Sequence, residues 1–304
     1  MVIKQGQIQL TRSYGMADLE NQIPVSESTN FRLASMTKAF TALSILQLIE
    51  TGQLEFSTTL SDIFPDFPAY GKTVTVYQLL HHVSGLAHYE NLLPDSFSGQ
   101  VMDKDVLTLM MQEDSTLFSP GTRYDYSNSG YAVLSQIVRE ISGVSFPDYL
   151  TDHIFEPLGM NGSLAYVQGE ANIRNRAYGY QVLEDTVMFS DQSPTSAVLG
   201  DGGVYSSLGD MFLWDQALYS DALVNVTLLD SAFSPRLENY GCGWRIDTYR
   251  GHRRINHTGS TCGFRNVFQR FPDDELSVTI LTNRREPGVQ ALAEKVIDMY
   301  LFNE

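Results

Sequence analysis

Apolar residues recur with helical spacing in several segments of the chain. The clearest run begins just after Lys38, covers a wide apolar face from Ala39 to Ile49, and ends at Gly52. Because so few of its positions are polar, we expect most of this helix to be buried. The same periodicity predicts further helices at 76–82, 103–112, 129–141, 146–155, 208–219 and 289–302.

Strand-like patterns occur at the two ends of the chain. Residues 2–15 are typical of a hairpin with its turn at 4–7. Close to the C-terminus, turn residues at 250–251 and 272–274 separate short β-rich runs. These runs predict strands at 240–249, 252–257, 264–271 and 277–281.

Strands at both ends around a helical insert indicate an α+β fold. We expect a single catalytic domain over 1–304, in which an antiparallel sheet is flanked by helices. The sheet part is expected at about 1–56 and 200–304, and a mostly helical part at about 57–199. The cleft between the two parts is the expected place for a site.

Charge and composition limit the partners of the protein. The formal net charge of −16 disfavours nucleic acid and anionic membrane surfaces. No run of about twenty apolar residues predicts a membrane span. The first residues show no signal-peptide core, so the sequence leaves open a cytoplasmic location or a periplasmic or secreted one after removal of a signal. It does not predict the oligomeric state.

Ser35 and Lys38 are three residues apart at the start of the first predicted helix, which places both side chains on one face. Lys38 is the only one of the five lysines with a serine at that spacing. A lysine ammonium can lower the cost of forming a serine alkoxide or keep a neighbouring base charged. The pair is therefore a candidate nucleophile and activator; the alternative is an exposed lysine beside a capping serine.

Two further motifs follow in order. A Pro-Gly turn leads to Tyr126 and Asn128, and His257 is followed by Thr258, Gly259 and Ser260. With Ser35 and Lys38, these motifs resemble those of the serine beta-lactamase and penicillin-binding-protein superfamily, in its class C-like branch. The resemblance runs from about residue 14 to residue 281. It includes the segments at 31–38, 79–86, 154–160, 241–244 and 271–278.

The resemblance implies an acyl-enzyme mechanism. Ser35 attacks a carbonyl, and Lys38 polarises both Ser35 and Tyr126. Tyr126 is the candidate general base. Because a free phenol titrates at about 10, it needs cationic charge nearby, which Lys38 and His257 are expected to supply. Asn128 is expected to hydrogen-bond a substrate amide.

The third motif is expected to line the substrate site. By resemblance, the backbone N–H of Ser260 joins that of Ser35 in an oxyanion hole. Class C beta-lactamases usually have lysine where His257 stands, whereas His-Thr-Gly occurs in some D,D-peptidases, D-aminopeptidases and esterases. A histidine is half charged at about pH 6.5. We therefore expect His257, Thr258 and Gly259 to contact the substrate and beta-lactam hydrolysis to be inefficient. If His257 anchors a substrate carboxylate, its charged form is the one that binds; if the natural substrate is a neutral ester, that charge matters little.

Each motif residue also has a structural alternative. Tyr126 could be a core tyrosine, Asn128 the cap of the following helix, and His257 an ordinary strand residue. Each of these alternatives is reasonable by itself, but together they explain the sequence poorly. His82 is expected to be buried and hydrogen-bonded rather than catalytic.

Other kinds of site have weaker support. His81, His82 and His88 cluster, but they form no His-Glu-x-x-His pattern, so we expect no metal and no other cofactor. Tyr89 and Asn91 make a second Tyr-x-Asn, which lacks both the Pro-Gly turn before it and a periodic helix after it. The two cysteines, Cys242 and Cys262, are expected to be free thiols.

The sequence therefore predicts a metal-independent serine hydrolase acting on an ester or a D-amino-acid amide. Its partner would be a small-molecule ester, a peptide or a beta-lactam, the last as slow substrate or inhibitor. One alternative is a cell-wall D,D-carboxypeptidase of the penicillin-binding type. Another is a catalytically silent binding protein on the same fold.

Overall fold

A computed structural model of the protein describes residues 1–169, 172–286 and 288–302. Its α-helices are α1 (Thr37–Glu50), α2 (Leu60–Ile63), α3 (Val76–Leu80), α4 (Tyr89–Leu92), α5 (Asp103–Gln112), α6 (Asn128–Ser142), α7 (Phe146–Leu150), α8 (Glu156–Leu158), α9 (Leu199–Gly202), α10 (Leu208–Ala217), α11 (Val226–Ala232) and α12 (Gln290–Leu301). Shorter 3₁₀ turns lie at Ala34–Met36, Ala69–Thr73, Leu237–Asn239 and Pro272–Asp274. Each helix predicted from the sequence is present, and its ends lie within a few residues of the predicted ones. The predicted helix at 146–155 changes to a π-helix after Leu150.

The strands are β1 (Val2–Lys4), β2 (Gln7–Leu10), β3 (Met16–Asp18), β4 (Ile23–Pro24), β5 (Phe31–Arg32), β6 (Leu164–Ala165), β7 (Tyr180–Leu183), β8 (Thr186–Phe189), β9 (Val204–Ser206), β10 (Arg245–Tyr249), β11 (His252–Thr261), β12 (Phe264–Phe271) and β13 (Leu276–Thr282). Among the described residues, the main sheet is antiparallel with strand order β10-β11-β12-β13-β1-β2. The two ends of the chain meet in this sheet, where Val2 pairs with Val278. The α+β prediction is confirmed.

The structure corrects the predicted strands in two places. β10 begins at Arg245 rather than at 240, because Gly243 has φ +79 and interrupts the extended backbone. β11 continues to Thr261, so the whole His-Thr-Gly-Ser motif lies on a strand.

Short strands also appear where only helices and loops were expected. A separate sheet has the order β5-β9-β6, and β7 and β8 form a hairpin inside the part predicted as mostly helical. These segments are too short to show a period in the sequence. The boundaries proposed at about 57 and 200 remain a prediction.

Helix α1 lies in the core. Most of its residues are buried, including Phe40, whose ring lies 4.1 Å from that of Trp214. This burial explains why its polar positions are so few. Helix α6 packs against α1 and begins at a capping serine, Ser127, whose hydroxyl accepts a hydrogen bond from the N–H of Gly130 at 3.0 Å. The first and second motifs lie at the N-terminal ends of these two helices.

No helix among the described residues has the length and hydropathy needed to cross a bilayer. A groove of about 940 Å³ lies between β1, β13, the β7–β8 hairpin and α12. Its lining is largely apolar and includes Val2, Leu281 and Val296. None of the predicted site residues lines it, so this groove is separate from the site around Ser35.

Candidate active site

Ser35 lies in a 3₁₀ turn that immediately precedes α1. Its neighbour Ala34 has φ +52, a conformation that residues with a side chain rarely adopt. Strand β11 packs directly against this turn, because a Cβ atom added at Gly259 would overlap the carbonyl oxygen of Leu33. Gly259 thus brings the third motif against the segment that presents Ser35.

Lys38 is completely buried and lies at the centre of the site. Its Nζ donates hydrogen bonds to Ser35 Oγ at 3.3 Å, to Asn128 Oδ1 at 2.8 Å, and to the carbonyl oxygen of Asp201 at 2.9 Å. An ammonium group has three N–H donors, and all three are used here. The predicted burial of Lys38 and its proximity to Ser35 are confirmed.

Tyr126 lies beside this lysine. Lys38 Nζ is 5.0 Å from the centre of the Tyr126 ring, and the guanidinium of Arg245 is 5.7 Å from it on the sheet side. Tyr126 is half-buried, and its hydroxyl makes no hydrogen bond with another residue in the described part of the chain. The alternative of a core tyrosine is therefore unsupported.

Asn128 connects the lysine to a carboxylate. Its Nδ2 donates a hydrogen bond to Glu90 Oε1 at 2.7 Å, while its Oδ1 accepts from Lys38. One Nδ2 hydrogen remains for a substrate. The alternative of a helix cap is wrong, because Ser127 caps α6 and Asn128 is the first residue of the helix.

His257 lies on β11, and its ring centre is 6.4 Å from that of Tyr126. The expectation of a half-charged His257 is wrong. Burial, followed by the charge of Lys38, lowers the pKa of His257 to about 3, so its ring is neutral at neutral pH. It therefore neither supplies cationic charge to Tyr126 nor offers a charged anchor to a carboxylate.

The remaining residues of the third motif make few hydrogen bonds to the other residues of the site. The carbonyl of Thr258 accepts a hydrogen bond from His257 Nδ1 at 2.7 Å. Ser260 is exposed and pairs with Arg265 of β12. In the described ranges, no hydrogen bond joins the side chain of Thr258 or Ser260 to Ser35 or Lys38.

His82 holds the loop that carries Tyr126. Its Nδ1 accepts a hydrogen bond from the N–H of Ser127 at 3.0 Å, and its carbonyl accepts from the N–H of Asp125 at 2.8 Å. The His82 ring also packs on the Tyr126 ring at 4.3 Å. The prediction of a buried, hydrogen-bonded histidine is confirmed.

Two buried aspartates, Asp103 and Asp201, stabilise the backbone around Lys38. Asp103 accepts hydrogen bonds from the N–H groups of Leu199 and Gly200, both at 2.8 Å, and so holds the short helix α9 that contains Asp201. Burial raises the pKa of the Asp201 carboxyl to about 7. Its Oδ2 accepts a hydrogen bond from the Tyr89 hydroxyl at 3.4 Å.

The three clustered histidines have different partners. His81 Nδ1 bonds to the Tyr77 carbonyl at 2.7 Å, and His88 Nε2 lies 3.4 Å from an oxygen of Asp125. No group of three or more potential metal-ligating side chains occurs in the residues that were described. Both cysteines are free thiols, as predicted.

Sequence reasoning missed three residues of this site: Glu90, Asp201 and Arg245. Glu90 lies between Tyr89 and Asn91, the second Tyr-x-Asn, which lacks the Pro-Gly turn of the first. Arg245 was placed on a strand, but its neighbour Tyr126 is more than a hundred residues away in the sequence. No local pattern distinguishes these residues from the other charged residues of the chain.

Comparisons with known proteins agree with this geometry. The statistical model of the Beta-lactamase family matches residues 1–298. Penicillin-binding protein 4* of Bacillus subtilis (strain 168) is 33% identical over 302 residues, which covers 92% of this chain and 66% of that protein. The D-aminopeptidase of Gluconobacter oxydans (strain 621H) is 27% identical, covering 96% of this chain and 57% of that protein.

A solved structure has the same fold. The penicillin-binding protein from Bacillus halodurans is 30% identical, with a TM-score of 0.85, and the match covers 99% of this chain and 94% of that one. The chain spans about two thirds or less of the two curated relatives named above. On the family match and these relatives, the chain belongs to the Beta-lactamase family.

Proposed function

We propose that this protein is a serine hydrolase that forms an acyl-enzyme on an amide or ester of a D-amino acid. One observation carries the proposal: the buried Lys38 ammonium hydrogen-bonds both Ser35 Oγ and Asn128 Oδ1 while lying beside the Tyr126 ring.

The proposed reaction has two stages. Ser35 Oγ attacks the substrate carbonyl as its proton passes to Tyr126, whose ring lies between Lys38 and Arg245. The backbone N–H groups of Ser35 and Ser260 stabilise the oxyanion, each contributing about 3 kcal/mol. The C–N or C–O bond then breaks, and the leaving group takes the proton. Water next splits the ester to Ser35, releases the acid and restores the serine.

The substrate class follows from the charges of the site and from the relatives. A D-aminopeptidase is among the similar proteins, and it supports a D-amino-acid amide. Because His257 is neutral, the third motif offers a weaker anchor for a beta-lactam carboxylate than lysine would. Beta-lactams are therefore proposed as slow substrates or inhibitors.

A D,D-carboxypeptidase is the second candidate. The similarity to penicillin-binding proteins favours it, and so does the exposed guanidinium of Arg245 close to Tyr126, which could bind a terminal carboxylate. Both candidates use the same nucleophile and differ in the leaving group. A binding protein without activity is the third candidate.

Intact mass measurement tests the nucleophile. The native protein, incubated with a fluorescent penicillin or with an activated ester of a D-amino acid, should gain one acyl group, and Ser35→Ala should gain none. Ser44→Ala, a change in the helix α1 that follows Ser35, should label like the native protein. Equal labelling of Ser35→Ala would reject Ser35 as nucleophile, and no labelling of the native protein would favour the silent binding protein.

A further inference from the structure

The position of Lys38 depends mainly on two of its three hydrogen bonds. Its Nζ lies 2.8 Å from Asn128 Oδ1 and 2.9 Å from the carbonyl oxygen of Asp201, whereas Ser35 Oγ is 3.3 Å away. Hydrogen bonds from nitrogen to oxygen have a typical length of about 2.9–3.0 Å, so the bond to Ser35 is the weakest of the three. The groups that fix Asn128 and Asp201 therefore also fix the lysine beside the serine.

The two strong acceptors differ in how they are held. The carbonyl of Asp201 belongs to the backbone of α9, which Asp103 holds through the N–H groups of Leu199 and Gly200. The Oδ1 of Asn128, by contrast, lies at the end of a side chain, and the torsion that turns an asparagine amide has a broad range. This amide needs a second partner to stay in the orientation that Lys38 requires.

Glu90 is that second partner. Its Oε1 accepts a hydrogen bond from Asn128 Nδ2 at 2.7 Å. A carboxylate only accepts hydrogen bonds and an ammonium only donates them, so Glu90 and Lys38 select the same orientation of the amide. In the part of the chain that the structure describes, these are the two side chains that hydrogen-bond the Asn128 amide.

Glu90 is itself anchored to the start of α6. The preceding residue, Tyr89, is buried, and its backbone N–H donates a hydrogen bond to Ser129 Oγ at 2.9 Å. Ser129 follows Asn128 in the chain, and its hydroxyl donates to the carbonyl of Ala87 at 2.6 Å. Three hydrogen bonds therefore join α4 and the residue just before His88 to the first turn of α6, which gives Glu90 a defined position relative to Asn128.

We propose that Glu90 is a positioning residue for the reaction: its carboxylate holds the Asn128 amide, and the amide holds Lys38 beside Ser35. This inference rests on the proposed function, since it takes Ser35 as the nucleophile. The reach of the Glu90 acceptor matters more than its negative charge, because the bond that it accepts comes from a neutral amide. The second Tyr-x-Asn of the sequence thus contributes its middle residue to the site.

Direct contact with the substrate is the alternative role for a half-buried carboxylate in this place. Such a contact would depend on the negative charge of Glu90 and on a cationic group in the substrate. A positioning role depends on neither, and it acts on the acylation of any substrate, including a small and uncharged one. The two roles therefore predict opposite responses when the charge and the reach of this side chain are changed separately.

Three substitutions separate reach from charge. Glu90→Gln keeps the chain length and one oxygen acceptor but removes the charge, whereas Glu90→Asp keeps the charge on a side chain that is one methylene shorter. Glu90→Ala removes both, and Asn91→Ala, an exposed position of the same helix, is the control. The substrate is p-nitrophenyl acetate, a neutral activated ester. Burst-phase kinetics give its acylation rate constant separately from its apparent dissociation constant.

Acylation should slow by about tenfold or more in Glu90→Ala and in Glu90→Asp, because small displacements of catalytic groups are costly. The apparent dissociation constant of the ester should change by about twofold or less, since the lost hydrogen bond is not made to the substrate. Glu90→Gln and Asn91→Ala should acylate within about threefold of the native rate. A native rate in Glu90→Ala, or a Glu90→Gln as slow as Glu90→Ala, would overturn the inference.

A double-mutant cycle with Asn128 tests whether Glu90 acts through this amide. In an Asn128→Ala background, the further change Glu90→Ala should slow acylation by about twofold or less. An effect as large as the one in the native background would show a different route and overturn the inference. Thermal unfolding checks that each variant is folded. Glu90→Gln and Glu90→Asp are the smallest changes, and their opposite expected effects keep the test decisive if Glu90→Ala does not fold.

The same ester separates this inference from the proposed function. If Ser35 is acylated but the rates do not follow the substitutions at Glu90, only the positioning role is rejected. If the native protein is not acylated by the ester, the proposed function itself fails.

Discussion

The hydroxyl of Tyr240 donates a hydrogen bond to Nε2 of His257 at 3.0 Å. The other ring nitrogen, Nδ1, bonds to the carbonyl of Thr258, which can only accept, so Nδ1 carries the hydrogen. Both ring nitrogens are therefore satisfied when the ring is neutral. A second proton on the ring would remove the acceptor that Tyr240 uses. The third motif thus presents a neutral ring where related beta-lactamases are expected to have a cation.

This relationship predicts that the contribution of His257 to stability is lost in acid. The pKa of His257 falls from 6.5 to about 3 on folding. Between these two pH values the unfolded chain therefore binds a proton that the folded chain does not bind. The contribution of His257 to the free energy of unfolding should therefore be fully present above about pH 6.5 and should decline as the pH falls towards 3. Burial also lowers the pKa of His81, to about 4, which adds to the same decline.

Urea unfolding at about pH 5 and about pH 7.5 measures this difference. His257→Gln, which keeps an acceptor for Tyr240, should show a smaller difference between the two pH values than the native protein. The exposed His153 provides the control, and His153→Gln should behave as native. An unchanged pH difference in His257→Gln would contradict the neutral buried ring.

The second prediction concerns Tyr126. Tyr126→Phe removes a hydroxyl that makes no hydrogen bond with the described residues, so the unfolding free energy should stay near native. Turnover should fall by about a hundredfold or more if this phenol carries the proton. Tyr77→Phe removes a similar half-buried hydroxyl away from Ser35 and should retain turnover. Near-native turnover of Tyr126→Phe would indicate that Lys38, and not Tyr126, is the general base.

The sequence predicted the long elements of the fold well. Helix α5 and strand β12 have the predicted bounds, because each forms a sustained periodic run. Strands β6 and β9 were not predicted, since each has two or three residues and is stabilised by pairing with the other about forty residues away. Short strands depend on tertiary contacts that no local pattern encodes.

The site was predicted in its motifs but not in its electrostatics. Ser35, Lys38 and Tyr126 were identified because their spacing is local and their order resembles a family. The charge of His257 was mistaken, because it depends on burial and on Tyr240, which sequence spacing does not reveal. Glu90 was missed for the same reason, since only folding brings α4 next to Asn128 at the start of α6.

The third prediction concerns Asp201. Burial raises the pKa of its carboxyl from 3.8 to about 7, so the folded protein keeps a proton that the unfolded chain loses. The contribution of Asp201 to the free energy of unfolding should therefore decline as the pH rises from about 4 to about 7 and stay level above that. Asp201→Asn should increase stability at about pH 8 by about 2–4 kcal/mol.

Asp103→Asn provides a contrast with this variant. Asp103 is also buried, but its two oxygens accept hydrogen bonds from two backbone N–H groups of α9. An amide nitrogen in place of either oxygen would face an N–H donor, so Asp103→Asn should destabilise the protein at the same pH. Thermal unfolding of both variants across this pH range measures the effects, and a less stable Asp201→Asn at about pH 8 would contradict the assignment.

The last prediction concerns Gly259, whose role in the structure is steric. A methyl group at this position would overlap the carbonyl oxygen of Leu33, two residues before Ser35. Gly259→Ala should push β11 away from the 3₁₀ turn and lower the unfolding free energy by about 2 kcal/mol or more. Acylation of Ser35 by an activated ester should slow by about tenfold or more, because small displacements of the nucleophile and oxyanion donors are costly.

Gly209→Ala provides the control. The added Cβ has no atom closer than 3.8 Å, and the protein should become slightly more stable, because this position is helical. Native acylation rates in Gly259→Ala would show that β11 does not position Ser35.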